Sequence, residues 1–319
     1  MLSVKGELKL DSTRNGFGKG LVELGKANKN IVVLSADLTD SVRAHWFKKE
    51  FPDRFFSFGV AEQNMISAAA GFALSGKIAY AATFGVFAAG RAWDQVRVSV
   101  DYMNLNVKIV GTHAGISVGE DGYTHQALEE ITLMRVLPNM TMIVPSDFTE
   151  AKRATLKAAE WKGPVYIRLG RNASPILTEE SDPFEIGKGI LARPGKDITI
   201  VACGQMFFEA MKAAEILAQK KIDARVINMH TIKPIDEAIL LKAAKETGAF
   251  VTAEEHSMRG GLGGAVTEIL SQNYPVPVKM VGMAGCGQSG SPQELFKCFN
   301  LLAEDVARAA EGALAMKRP

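Results

Sequence analysis

Short apolar runs alternate with longer helical stretches along almost the whole chain, and no other feature limits the fold as much. The runs IVVLSA (31–36), FFSFGV (55–60), IAYAA (78–82), VKIVG (107–111), TMIVP (141–145) and VYIRL (165–169) are separated by helical patterns near 13–27, 62–75, 88–102, 126–136 and 147–161. Strands that alternate with helices argue for a parallel sheet with helices on both faces. The runs are continuously apolar, as strands buried on both sides must be. Residues 172–197, NASPILTEESDPFEIGKGILARPGKD, lose this periodicity and read as a linker with a short edge hairpin. Alternation then restarts with ITIVAC (198–203), ARVINM (224–229), GAFVTAEE (248–255) and VKMVG (278–282), with helices to about 220, at 235–246 and from about 262. The expected architecture is α/β in two domains, 1–180 and a smaller 181–319.

Composition excludes several classes. A net charge of +2 offers no large field to nucleic acid or an anionic membrane. Three cysteines without metal-ligand spacing favour a reducing, cytoplasmic setting over a disulfide framework. The opening MLSVKGELKLDSTRNG lacks the apolar core of a signal peptide. The apolar stretch 65–90 is interrupted by Ser75-Gly76-Lys77, so it predicts a buried helix–strand–helix segment and not a membrane span.

In open parallel sheets, ligands sit beyond the carboxyl ends of the strands. Those ends run into Asp37, Glu62, Phe84, His113, and Arg168 with Arg171. Glu62 opens a helix rich in alanine and glycine, where the helix dipole favours a carboxylate and burial calls for a partner. Phe84 and Phe87 have the spacing of core packing, and also of a pair that stacks on a flat ring. Arg91 and Asp94 follow three apart and can pair with each other or with neighbours. The loop GTHAGISVGEDGYTHQ (111–126) carries His113, Asp121 and His125 among glycines. Its histidines lack the spacing of a zinc site and its acids lack the ladder of a calcium loop. What remains is a set of donors and acceptors suited to a polyhydroxylated substrate. Arg14, Ser41, Arg168 and Arg171 are candidate anion ligands. The cluster RGGLGGA (259–265) lacks the spacing of a dinucleotide fingerprint and reads as close helix–strand packing or a subunit contact.

The segments ADLTDS, GVAEQN, TFGVF, GISVGEDGYTHQ and YIRLGR, in that order, resemble the second half of transketolase, a thiamine-diphosphate enzyme. TAEEH followed by GGLGG resembles the carboxy-terminal domain of the same superfamily. The resemblance spans essentially the whole chain. It implies a parallel-sheet pyrimidine-binding domain followed by a smaller α/β C-terminal domain. It implies that Glu62 hydrogen-bonds the cofactor's aminopyrimidine and favours its imino tautomer, with Phe84 and Phe87 packed on that ring and Asp37 near the pocket. His113, Asp121 and His125 would face sugar hydroxyls, with the two histidines assisting proton transfer. Arg14, Ser41 and Arg171, with Arg168 beside them, would take the sugar phosphate. The implied reaction moves a two-carbon ketol unit from a ketose phosphate to an aldose phosphate.

One family feature is missing. These enzymes hold Mg²⁺ and the diphosphate through GDG and a later Asn, and this sequence contains no GDG. The resemblance therefore implies a separate N-terminal partner subunit carrying GDG and Asn and supplying the Mg²⁺ ligands, in a two-plus-two assembly in which this chain also self-associates. Rival readings are the beta chain of a 2-oxo-acid dehydrogenase, a 1-deoxyxylulose-5-phosphate synthase-like enzyme, and a non-catalytic nucleotide-binding or scaffold subunit. GEDGYTHQ argues against the first, because an oxo acid needs no row of hydroxyl ligands. A scaffold has no need of Glu62, His113 and His125 together.

Overall fold

A computed structural model describes residues 8–317. Two large sheets organise it. The first contains β2 (Ile31–Ser35), β3 (Phe55–Ser57), β4 (Ile78–Phe84), β5 (Val107–Thr112), β6 (Thr141–Ile143) and β7 (Val165–Arg168), all parallel, in the order β6-β7-β5-β4-β2-β3. Parallel pairing throughout puts their carboxyl ends on one edge. β1 (Leu10–Ser12) and β8 (Ala173–Pro175) form a separate antiparallel pair. The second sheet joins β9 (Ile190–Arg193), β10 (Ile198–Ala202), β11 (Ala224–Asn228), β13 (Phe250–Ser257) and β14 (Val278–Met283), with only β9 antiparallel.

Two connections depart from the sequence reading. The expected edge hairpin within 172–197 is absent; β8 and β9 lie in different sheets, each pairing with a distant strand. β12 (Thr231–Lys233), from the second half, adds antiparallel to β6 and so completes the first sheet. The core follows the same pattern. Helices Thr13–Ala27 and Phe148–Glu160 cover one face of the first sheet. The apolar cluster on its other face runs through Ile66, Val96 and Ile131 into Val201, Leu240 and Leu262 of the second half.

The segment 65–90 is helix, strand, then helix, and no helix among the described residues is long and apolar enough to cross a membrane. Helix Glu62–Leu74 buries Met65, Ile66, Ala69 and Ala70, but its other face is open, so the expected buried helix–strand–helix segment is buried on one helix face only. Val60 and Leu74 are exposed there, as are Val98, Tyr102 and Met103 further along the chain.

Candidate active site

β4 ends at Phe84, and a π-helical turn, Phe87–Arg91, opens the next helix. The rings of Phe84 and Phe87 are nearly parallel, with centroids 5.9 Å apart. β5 ends at Thr112, and His113 follows it with φ of 56°. That left-handed conformation is costly for a residue with a Cβ and is held only where the surroundings dictate it. Here it goes with an imidazole stacked on Phe84 at 3.8 Å between centroids. His125 meets Phe84 and Phe87 edge-on at 6.1 and 5.8 Å. Four rings from three segments thus form one wall.

Glu62 is buried at the first position of its helix. Its carboxylate accepts from Arg91 Nη1 at 2.8 Å, and the same guanidinium lies 4.8 Å over the Phe87 ring. Arg91 therefore pairs with Glu62, not with Asp94, and joins the carboxylate to the ring wall.

A cationic group stands on the same edge. Arg14 donates to the Ser41 carbonyl at 3.0 Å. Arg43, with φ of 64°, donates to Asn15 Oδ1 at 2.6 Å and to the Asp40 carbonyl at 2.9 Å. Arg171 donates to the Val118 carbonyl at 2.6 Å and to Glu120 at 3.2 Å, with Asp121 at 3.9 Å. Burial, then repulsion from Arg43 and Arg171, pushes the Arg14 guanidinium down to about 10. Burial, then Arg14, Arg171, Arg43 and His125, pushes His113 down to about 3. His113 is therefore a neutral imidazole at neutral pH, with Thr112 Oγ1 2.9 Å from its Nδ1. An anion bound among the three arginines would relieve their mutual repulsion. Asp37 is exposed just after β2, with φ of 59°.

Arg168 does not join this group. It is the last residue of β7 and is buried, with Nε on Glu130 at 2.5 Å and Nη2 donating to the Glu255 carbonyl at 2.7 Å. Those donors are spent inside the protein, which corrects the expectation that Arg168 grips a ligand anion. Arg171, three residues beyond the strand, has left the sheet. The cluster RGGLGGA packs closely, as expected: Leu262 and Gly263 donate their amides to the Glu254 carboxylate at 2.7 and 2.8 Å, and a Cβ at Gly261 would collide with that carboxylate. An internal carboxyl group fills this helix terminus.

Sequence reasoning misses Arg43 and Asn15, and it finds Arg91 without its partner. Arg43 is within reach of that reasoning, lying two residues after Ser41 beyond the end of β2. Among the described residues, no three His, Cys, Asp or Glu side chains gather as metal ligands. A cavity of about 730 Å³ beside Lys19, Trp46 and Lys152 lies apart from this edge, and Lys152 is already paired with Glu23 and Glu180.

Residues 11–175 match the family model "Transketolase, pyrimidine binding domain", and residues 187–306 match "Transketolase, C-terminal domain". A putative transketolase C-terminal section of Methanocaldococcus jannaschii is 48% identical, with 92% of this chain and 94% of that protein covered. The 6-deoxy-6-sulfo-D-fructose transketolase subunit SqwH of Clostridium sp. (strain MSTE9) is 43% identical, with 95% of each covered. A solved split-gene transketolase, described as an inactive beta4 tetramer, superposes with a TM-score of 0.91 at 50% identity, covering 96% of this chain and 99% of that one. The chain belongs to the transketolase family and spans its pyrimidine-binding and C-terminal domains.

Proposed function

We propose that this chain is one subunit of a two-chain transketolase that moves a two-carbon ketol unit from a ketose phosphate to an aldose phosphate. The observation that carries this reading is the linkage of a buried carboxylate, through Arg91 and Phe87, to two histidine rings beside three arginines. The donor set fits the aminopyrimidine of thiamine diphosphate: Glu62 is a buried hydrogen-bonding carboxylate, and Arg91 links it to the flat apolar pair of Phe87 and Phe84. Asp37 would lie at the rim. When bound, thiamine diphosphate supplies the electron sink for carbon–carbon cleavage.

The chain's own residues do the rest. Glu62 holds or releases a proton at a ring nitrogen. His113, kept neutral, offers a hydrogen bond to a substrate oxygen and stays uncharged beside the arginines. His125 and Asp121 complete the hydroxyl ligands and assist proton movement at the sugar. Arg14, Arg171 and the Ser41 segment hold the terminal phosphate, with Arg43 adding a third positive charge.

The Mg²⁺ ligands, and the GDG and Asn that hold the diphosphate, belong in this reading to a separate N-terminal partner. The similar solved split-gene transketolase is a beta4 tetramer and is described as inactive, which supports the need for such a partner. The exposed apolar residues Val60, Leu74, Val98, Tyr102 and Met103 suit burial against other subunits in a two-plus-two assembly. Free cysteines at 203, 286 and 298 fit a reducing, cytoplasmic setting.

The test combines this chain with a partner carrying GDG and Asn, thiamine diphosphate, Mg²⁺, xylulose 5-phosphate and ribose 5-phosphate. Sedoheptulose 7-phosphate should form with both chains and not with either alone. Turnover with a 2-oxo acid only, or with no sugar phosphate at all, would reject the reading.

A further inference from the structure

The second domain touches the histidine loop through a buried carboxylate that the proposed chemistry leaves unused. Glu255, in β13, is 3% exposed. Its Oε1 accepts the amide of Ser117 at 2.5 Å. Gly115, with φ of 84°, packs so closely that a Cβ there would collide with the same carboxylate. Residues 115–117 are thus shaped around one side chain from the other sheet. The far end of the loop is held from the same domain. Gln126, next to His125, donates from Nε2 to the Ile116 carbonyl at 3.2 Å and to the Gln288 carbonyl at 2.8 Å, and Ser289 sits against Gly122. Arg168 secures β13 from the first domain, donating to the Glu255 carbonyl while paired with Glu130.

A buried carboxylate is a weak source of stability, because desolvation offsets most of what its partners contribute. What it does provide is a fixed acceptor. We propose that Glu255 is a positioning residue for sugar recognition: by holding the Ser117 amide, it sets where loop 113–126 presents His113 and His125. This rests on the reading of that loop as the sugar site. It also gives the second domain a part in substrate binding, while Glu62, Phe84 and Phe87 lie outside the loop that Glu255 holds.

Glu255→Ala removes the acceptor, Ser117→Pro removes the donated hydrogen, and Glu255→Gln keeps an acceptor oxygen. In the enzyme assembled from both chains, Glu255→Ala is expected to raise the KM for both sugar phosphates about tenfold, as befits one lost buried hydrogen bond. Thiamine diphosphate affinity should not change, and Glu255→Gln should recover most of the loss. In this chain alone, hydrogen exchange at amides 115–118 should speed up by about tenfold in Glu255→Ala. Unchanged exchange overturns the proposal. So does faster exchange with an unchanged sugar KM, or loss of sugar and cofactor affinity together. If Glu255→Ala does not fold, Ser117→Pro decides by the same measurements. Exchange is read without any activity, whereas the functional reading stands or falls with the wild-type enzyme, so the two failures are distinct.

Discussion

Glu62 lies where two local effects meet. The first turn of a helix favours a negative charge, and the packing of Met65, Ile66, Ala69 and Ala70 behind it removes the water that would otherwise solvate it. Its ion pair with Arg91 answers the question that burial raises. If the carboxylate handles a proton at the cofactor ring, Glu62→Ala should lower turnover of the assembled enzyme by about 10²–10⁴-fold, the usual worth of a positioned acid–base group. Size-exclusion chromatography should show the same assembly, since the residue lies inside the chain. A variant that turns over normally, or one that falls apart, would remove Glu62 from the chemistry. At this scale the sequence was informative where a polar residue follows a strand: Asp37, Glu62, His113 and Arg171 all leave the expected edge. It misled at Arg168, because a residue at a strand end and one three positions later look alike in sequence. It marked Glu255 only as part of TAEEH and gave it no role, because its contact with Ser117 spans 138 positions.

The parallel strands were legible because burial on both faces writes a continuous apolar run, and the helices because one face of each stays polar. β12 was not legible. It is three residues long, and it is defined by the edge of β6 in the other half of the chain. Glycine shows how far packing between elements overrides local preference. Gly16 faces helix Phe148–Glu160, and a Cβ there would collide with the Phe148 carbonyl. Gly312, in helix Ala303–Leu314, would meet only the flexible Lys279 side chain at 3.8 Å. Alanine gains about 0.5–1 kcal/mol over glycine inside a helix. Overpacking costs about 1–3 kcal/mol. Gly16→Ala should therefore lower the urea midpoint and Gly312→Ala should raise it. Equal shifts of one sign would mean that helix propensity, not the approach of the two helices, controls both positions.

The two halves of the molecule are held as one body by a shared apolar core and by polar contacts at the junction, where Asn228 meets Glu150 at 2.9 Å and Val144 donates to the His230 carbonyl at 2.7 Å. His230 sits at this seam, fully buried, stacked on Phe184 at 4.3 Å between centroids, with Thr231 Oγ1 2.9 Å from its Nδ1. Burial, then the nearby Arg153, pushes it from 6.5 down to about 4. The folded state thus refuses a proton that the unfolded chain accepts. The stability tied to neutral His230 is fully present above pH 6.5 and is lost as pH falls from 6.5 to 4. Each pH unit in that window is worth about 1.4 kcal/mol per proton, so the whole effect is on the order of 3 kcal/mol. Burial also raises other carboxyl groups, Glu130 and Glu150 among them, so the informative quantity is the difference between two chains. His230→Phe keeps a ring against Phe184 and removes the titration. Relative to wild type, its stability to urea should rise by about 3 kcal/mol between pH 6.5 and pH 4, whatever its offset at neutral pH. Parallel pH profiles for the two chains would mean that the folded protein protonates His230 freely, which requires the seam between the two halves to open as the pH falls.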